Sequence, residues 1–263
     1  MLNLLRYLFT RNAFFTAICI LLLGGFEYLL CAILATIDIS AGLQSILASA
    51  PPFLRSMIGE QFMDLANLKV FAWNHPVAQA IGAALAIVLG ARAVAGEVDN
   101  GAIELVMSQP ISRSTYYLAH ATHGSVALFL VSFGGIAGTL AGQNVYDIEK
   151  FAVPDLLQLG LNYFLLQLSW FAITLAISAF ARDSGRVASV AFFIALIAFI
   201  VRAIGDLWDR TAFLLPFTLY NYFSPKKILL DRSPDLRDFV VLAMVSFLAM
   251  IVGGVQFHRR DLP

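Results

Sequence analysis

The residues able to do chemistry are few and mostly solitary. His120 and His123, spaced i and i+3, would share one helix face and could hold a metal ion. No His-Glu-x-x-His pattern, paired-glutamate motif or nucleophile elbow accompanies them. An intramembrane enzyme is therefore the weakest functional reading, and two interfacial polar residues the better one; no metal site is expected. Lys69, Lys150, Lys226 and Lys227 are each followed by a residue other than Ser or Thr. The chain thus lacks the Lys-Ser or Lys-Thr step with which a P-loop holds nucleotide phosphates. Cys19 and Cys31 lie in one apolar run, about 18 Å apart along a helix, beyond disulfide reach.

Other polar residues stand out by position. Glu27 falls near the middle of an apolar run. A charge there costs about 2.5–3.5 kcal/mol on the insertion scale, which apolar neighbours at about 0.3–0.6 kcal/mol each outweigh. Such a carboxyl faces either a path through the bundle or a structural partner, and Arg202 is a candidate partner. Further along, Gln158, Asn162 and Ser169 share one helix face, while Gln167, Thr174 and Ser178 share the opposite one. A helix polar on two sides suits protein surroundings rather than lipid. Glu27, Gln158, Asn162 and Ser169 are candidates to line a translocation path, with interhelical hydrogen bonds as the alternative.

The densest polar cluster is "GEVDNGAIELVMSQPISRS", residues 96–114, lying between two apolar runs. At 100° per residue, Glu97, Asn100, Gly101, Glu104 and Ser108 fall on one arc. Val98, Ala102, Ile103, Leu105, Val106 and Met107 cover the rest, with Asp99 an intruder among them. The spacing predicts a short amphipathic helix over 97–108, ended by Pro110. About 12 residues is too few for a helix to stand alone in water, so its apolar face needs the bundle, the membrane surface or a partner.

The elements that must position these residues are membrane helices. Only 13% of the 263 residues are charged and 60% are hydrophobic, against about a quarter charged in soluble domains. Six runs are long and apolar enough to span a bilayer, at about 13–37, 76–95, 116–142, 154–181, 186–205 and 238–257. The first exceeds a signal h-region and is expected to stay as a span. Zero net charge argues against nucleic acid as a partner, since phosphate binding needs a clustered basic surface. The expected fold is all-α, a single transmembrane domain over 1–263.

Residues 1–11 plot as an amphipathic helix, expected to lie in the interface ahead of the first span. Leu2, Leu4, Leu5, Leu8 and Phe9 share one of its arcs; Asn3, Arg6 and Thr10 share the other. An even number of spans puts both termini on one side, and Arg6 and Arg11 before the first span make that side cytoplasmic. "PPFLRSMIGEQFMDLANLKVFAW" in the first outer loop predicts one or two short capping helices.

"GEVDNGAIELVMSQPISRSTYYLAH" resembles the segment between the second and third spans of type-2 permeases of ATP-binding-cassette (ABC) transporters. The matching positions are Glu97, Gly101, Glu104, Leu105–Met107, Ser108, Pro110, Ser112 and Arg113. "SAFARDSGRVAS" (178–189) and "FHRRDL" (257–262) agree as well, so the likeness covers essentially the whole chain. Two positions depart, Ala102 where Thr is frequent and His120 where a Lys commonly follows the Arg. The resemblance implies an exporter subunit of the inner membrane whose connector couples to separate ABC ATPase subunits. Glu97, Asp99, Asn100, Gly101, Glu104, Ser108, Pro110 and Arg113 would form the coupling surface. ATP and Mg would be bound by the partner, with no cofactor in this chain. A second copy or similar chain would complete the transporter, with a lipophilic or amphipathic cargo at the interface. The other reading is a membrane relay passing ATPase motion to an extracytoplasmic partner.

Overall fold

The computed structural model describes residues 1–36, 65–108, 111–146, 148 and 150–260. Every regular element among them is helical: α1 (Leu2–Thr36), α2 (Leu65–Asn74), α3 (Pro76–Ala91), α4 (Ala102–Met107) and α5 (Arg113–Val145) come first. Then follow α6 (Val153–Phe180), α7 (Ser184–Leu207), α8 (Pro225–Leu229) and α9 (Leu236–Arg259). A π turn, Arg92–Gly96, and a single α turn, Glu97–Asp99, continue α3. Among the described residues six helices are long and apolar enough to cross a membrane: α1, α3 with its extension, α5, α6, α7 and α9. Most of the proposed loop helices at 38–75 lie outside the described residues; within it only α2 is seen.

Residues 1–11 do not form a separate interfacial helix. They run without a break into the first span, because nothing from Leu2 to Leu23 is Gly or Pro and no cap interrupts the ladder. At about 1.5 Å per residue α1 is about 52 Å long, well beyond the ~30 Å hydrocarbon layer. It is therefore long enough to extend past the apolar slab.

Glycine decides how α1 and α5 pack. Gly134, Gly138 and Gly142 recur every four residues along α5 and face Ile20, Gly24 and Cys31 of α1. A Cβ at Gly134 would stand 2.8 Å from Ile20 Cγ2, and one at Gly24 would stand 2.7 Å from the Gly134 carbonyl. Small residues let two backbones approach closely where lipid supplies no hydrophobic drive, and that is the use made of them here.

The helix α6 is central, packed against α3, α5, α7 and α9. Over its most apolar stretch 61% of residues are buried, against 17% for α7 and 22% for α9. Leu156, Leu159, Tyr163, Leu166 and Phe171 fill the middle of the bundle. The helices α7 and α9 instead expose Phe192, Phe193, Ile197, Phe247 and Leu248, as helices bordering lipid do.

Polar side chains within the spans mostly join helices. Asn162 donates to the Tyr222 carbonyl at 3.0 Å and accepts from the Ser224 amide at 3.1 Å, clasping the segment before α8. Ser169 Oγ lies 3.0 Å from both the Leu242 carbonyl and Ser246 Oγ on α9. Glu27 is buried between α1 and α5, where Thr139 Oγ1 lies 3.4 Å from Oε2. Arg202 is not its partner, since it lies 2.8 Å from both Asn221 and Asp206. Gln158 is exposed. In this single chain Glu27, Asn162 and Ser169 each bond to a different neighbour. Three interior contacts each use a polar group that a lipid-facing helix would have had to hide.

Candidate functional site: the connector between the second and third spans

The connector, residues 92–113, is not one helix. Gly101 has φ +71, a left-handed conformation that only glycine adopts without cost. It ends the turn Glu97–Asp99 and reorients the chain before α4 begins at Ala102. A single helical wheel over 97–108 therefore fails: the residues before and after Gly101 belong to different axes. Pro110 lies outside the described residues. The next span starts at Arg113, where Ser112 Oγ accepts from the Thr115 amide at 3.1 Å as its cap.

The first half of the connector is bonded into the bundle. Glu97 is 6% exposed and forms an ion pair with Arg11 of α1. It is therefore not on a solvent-facing arc. Asp99, the intruder on the wheel, accepts from the Ser184 hydroxyl at 3.1 Å and from its amide at 3.4 Å, where α7 begins. Ser178 of α6 takes up the π turn: its Oγ accepts from the Ala95 amide at 2.8 Å and the Val94 amide at 3.2 Å, and donates to the Ala91 carbonyl at 3.1 Å. Tyr116 of α5 donates to the Ala93 carbonyl at 2.7 Å.

Arg113 closes the ring of contacts. Its guanidinium donates to the His258 carbonyl at 3.2 Å and also to that of Arg260, at the end of α9. Arg260 in turn donates to the Ala181 carbonyl at 2.8 Å and the Ala179 carbonyl at 3.0 Å, satisfying acceptors that the last turn of α6 leaves open. Burial and the nearby Arg182 lower the pKa of Arg260, though a guanidinium stays charged. Through these bonds one short connector touches the same end of all six spans.

The second half is different. In α4, Ile103 is 1% exposed and pegs the helix to the core, while Glu104 and Ser108 face outward with Asn100 and Gly101. Asn100 serves the bend, its Oδ1 accepting from the Ala102 amide at 3.5 Å. The outward acidic surface is thus built on Glu104, with Asn100, Gly101 and Ser108 beside it, and excludes Glu97.

His120 and His123 sit just inside, against the ion pair. His123 meets Phe9 edge-on at 4.8 Å between ring centres, and His120 lies 4.6 Å from the Tyr116 ring. Aromatic packing accounts for both positions.

Wheel geometry missed Arg11, Ser178 and Arg260 because each acts on the connector from far away in the chain. A signal existed all the same. The stretches 178–189 and 257–262 resemble the same family as the connector, and in three dimensions Ser178, Ser184, His258 and Arg260 converge on it.

A family model described as ABC-2 family transporter protein matches residues 11–262. No curated protein matches the chain.

Proposed function

The chain belongs to the ABC-2 transporter family and is the multi-pass membrane permease of an ABC transporter, not its ATPase, and we propose that separate ATPase subunits drive it through the projecting half of its connector. The observation that carries this reading is the connector's bonding to all six spans beside an outward face it leaves open. A push on α4 passes through Ile103 and the Glu97–Asp99 turn into α1 and α7, and through the π turn into α6. ATP and Mg are held by the partner, and closure of its nucleotide sites supplies the push.

The direction is export, with the connector cytoplasmic, in keeping with Arg6 and Arg11 ahead of the first span. A second copy of this chain or a similar one completes the path, since six spans make half of the usual unit in this family. The cargo is lipophilic or amphipathic. Support comes from an apolar groove of about 610 Å³ between α3 and α7, walled by Ala84, Ile87, Val88, Phe192 and Leu196, with Gln79 as a polar point. Glu27, Asn162 and Ser169 contribute from elsewhere in the bundle, by joining α1 to α5, α6 to the segment before α8 and α6 to α9.

Glu104→Lys tests docking. The variant should insert and fold as the wild type does, yet retain markedly less ATPase through affinity purification from the membrane. Unchanged ATPase recovery and hydrolysis would count against the projecting half as the docking surface.

A further inference from the structure

The π turn Arg92–Gly96 has a consequence for the direction in which the connector points. In an α-helix the Ala91 carbonyl would pair with the Ala95 amide, four residues on. Here the Ser178 hydroxyl stands between these two groups, donating to the first at 3.1 Å and accepting from the second at 2.8 Å. A side chain inserted into the i to i−4 ladder is a recognised cause of local change in helix geometry. Ser178 is fully buried, so no water competes for these bonds. The helix before the turn also lies tight on α6: a Cβ at Gly90 would meet Thr174 Cβ at 2.8 Å and the Leu175 amide nitrogen at 3.0 Å.

A π turn holds about one residue more than an α turn. Everything after it is therefore set back by about 100° relative to an uninterrupted α-helix. Were the turn to anneal to α, Gly96 would come round to the place of Glu97. Glycine has no side chain to offer Arg11, and Asp99 would leave Ser184.

We propose that Ser178 is a positioning residue for the connector: by holding residues 92–96 in the wider turn, it aims Glu97 at Arg11 and Asp99 at Ser184. Its importance for transport rests on the coupling reading above; its effect on geometry does not. Ser178 is fully buried and acts through the backbone of Ala91, Val94 and Ala95.

A register test separates this from ordinary core packing. The full chain, with Cys19→Ala and Cys31→Ala, carries Arg11→Cys and Glu97→Cys and is placed in lipid nanodiscs. A short bifunctional thiol reagent then reports whether positions 11 and 97 face each other. Cross-linking is expected in this background and lost when Ser178→Ala is added. It is expected to return when Ala95 is deleted as well, because removing one residue makes the turn α while keeping the phase of position 97. Loss of packing at Ser178 has no reason to be cured by a deletion elsewhere. Persistent cross-linking in Ser178→Ala, or no recovery on deletion, overturns the proposal. Should Ser178→Ala fail to fold, the deletion variant decides: folding with cross-linking supports the proposal, and misfolding overturns it. In parallel, ATP hydrolysis by the co-purified complex, with Arg11 and Glu97 intact, should fall in Ser178→Ala and recover on deletion. If cross-linking follows this pattern while hydrolysis stays unchanged, the positioning role stands and the coupling reading fails.

Discussion

Glu97 and Glu104 have the same side chain, lie two helical turns apart on the projected wheel and end in opposite places. Glu97 is enclosed and paired with Arg11, while Glu104 is exposed. The same contrast divides the whole connector. Its first half, 92–99, is held by α1, α5, α6 and α7 through an ion pair and side-chain hydrogen bonds. Its second half, 102–108, is pegged by Ile103 and turns its acidic side outward. A charged residue on a short surface helix thus has two uses, to bind the helix to its own fold or to meet something else. Which one applies follows from what lies opposite.

Disrupting the enclosed half should cost the most. Arg11→Glu sets two carboxylates against each other where one is buried. The loss should be about 3 kcal/mol, at the low end for a broken buried pair because the Arg11 side chain is 35% exposed. Thermal unfolding in detergent should show a clear drop, and adding Glu97→Arg should recover most of it. If the swap recovers nothing, the pair is not what holds the first half.

The bend between the halves comes next. Gly101→Ala places a Cβ at φ +71, costing about 1 kcal/mol and favouring a straighter connector. Its stability loss should be modest and its loss of ATPase activity in the complex disproportionately large. Equal small losses in both would mean that the bend does not orient α4.

Asp99→Ala removes two hydrogen bonds to Ser184 at an exposed site, so about 0.5 kcal/mol is expected. Adding Ser184→Ala should cost little more, since the two residues share one interaction; additive losses would separate them. Comparably small on stability is Glu104→Lys, which reverses an exposed charge in the first turn of α4 and should cost about 0.5 kcal/mol. Its effect belongs in ATPase recovery. That opposite ordering, stability for Glu97 and partner retention for Glu104, is what distinguishes the two halves.

Several elements were legible from residue pattern alone. Long apolar runs required helices, because a backbone in lipid must satisfy its own hydrogen bonds. The two-sided polarity of residues 158–178 suited protein surroundings, and α6 is the central helix. The wheel over 97–108 misled because it assumes one axis, and Gly101 breaks that axis. Amphipathicity predicts a separate helix at residues 1–11, but it marks a face and not an end; only a breaker or a cap marks an end.

By itself, the sequence determined the solvent this protein lives in, the number of apolar helices and the absence of a P-loop lysine step. Those properties depend on composition and on neighbours a few residues apart. The tertiary structure alone decided that Arg11, Ser178, Ser184 and Arg260 meet at the connector, and that Glu97 faces inward while Glu104 faces out. Helix periodicity gives a residue's angle about its own axis; it does not give the helix that will stand beside it. Where one extra residue in a turn shifts that angle by about 100°, the neighbour settles what the side chain is for.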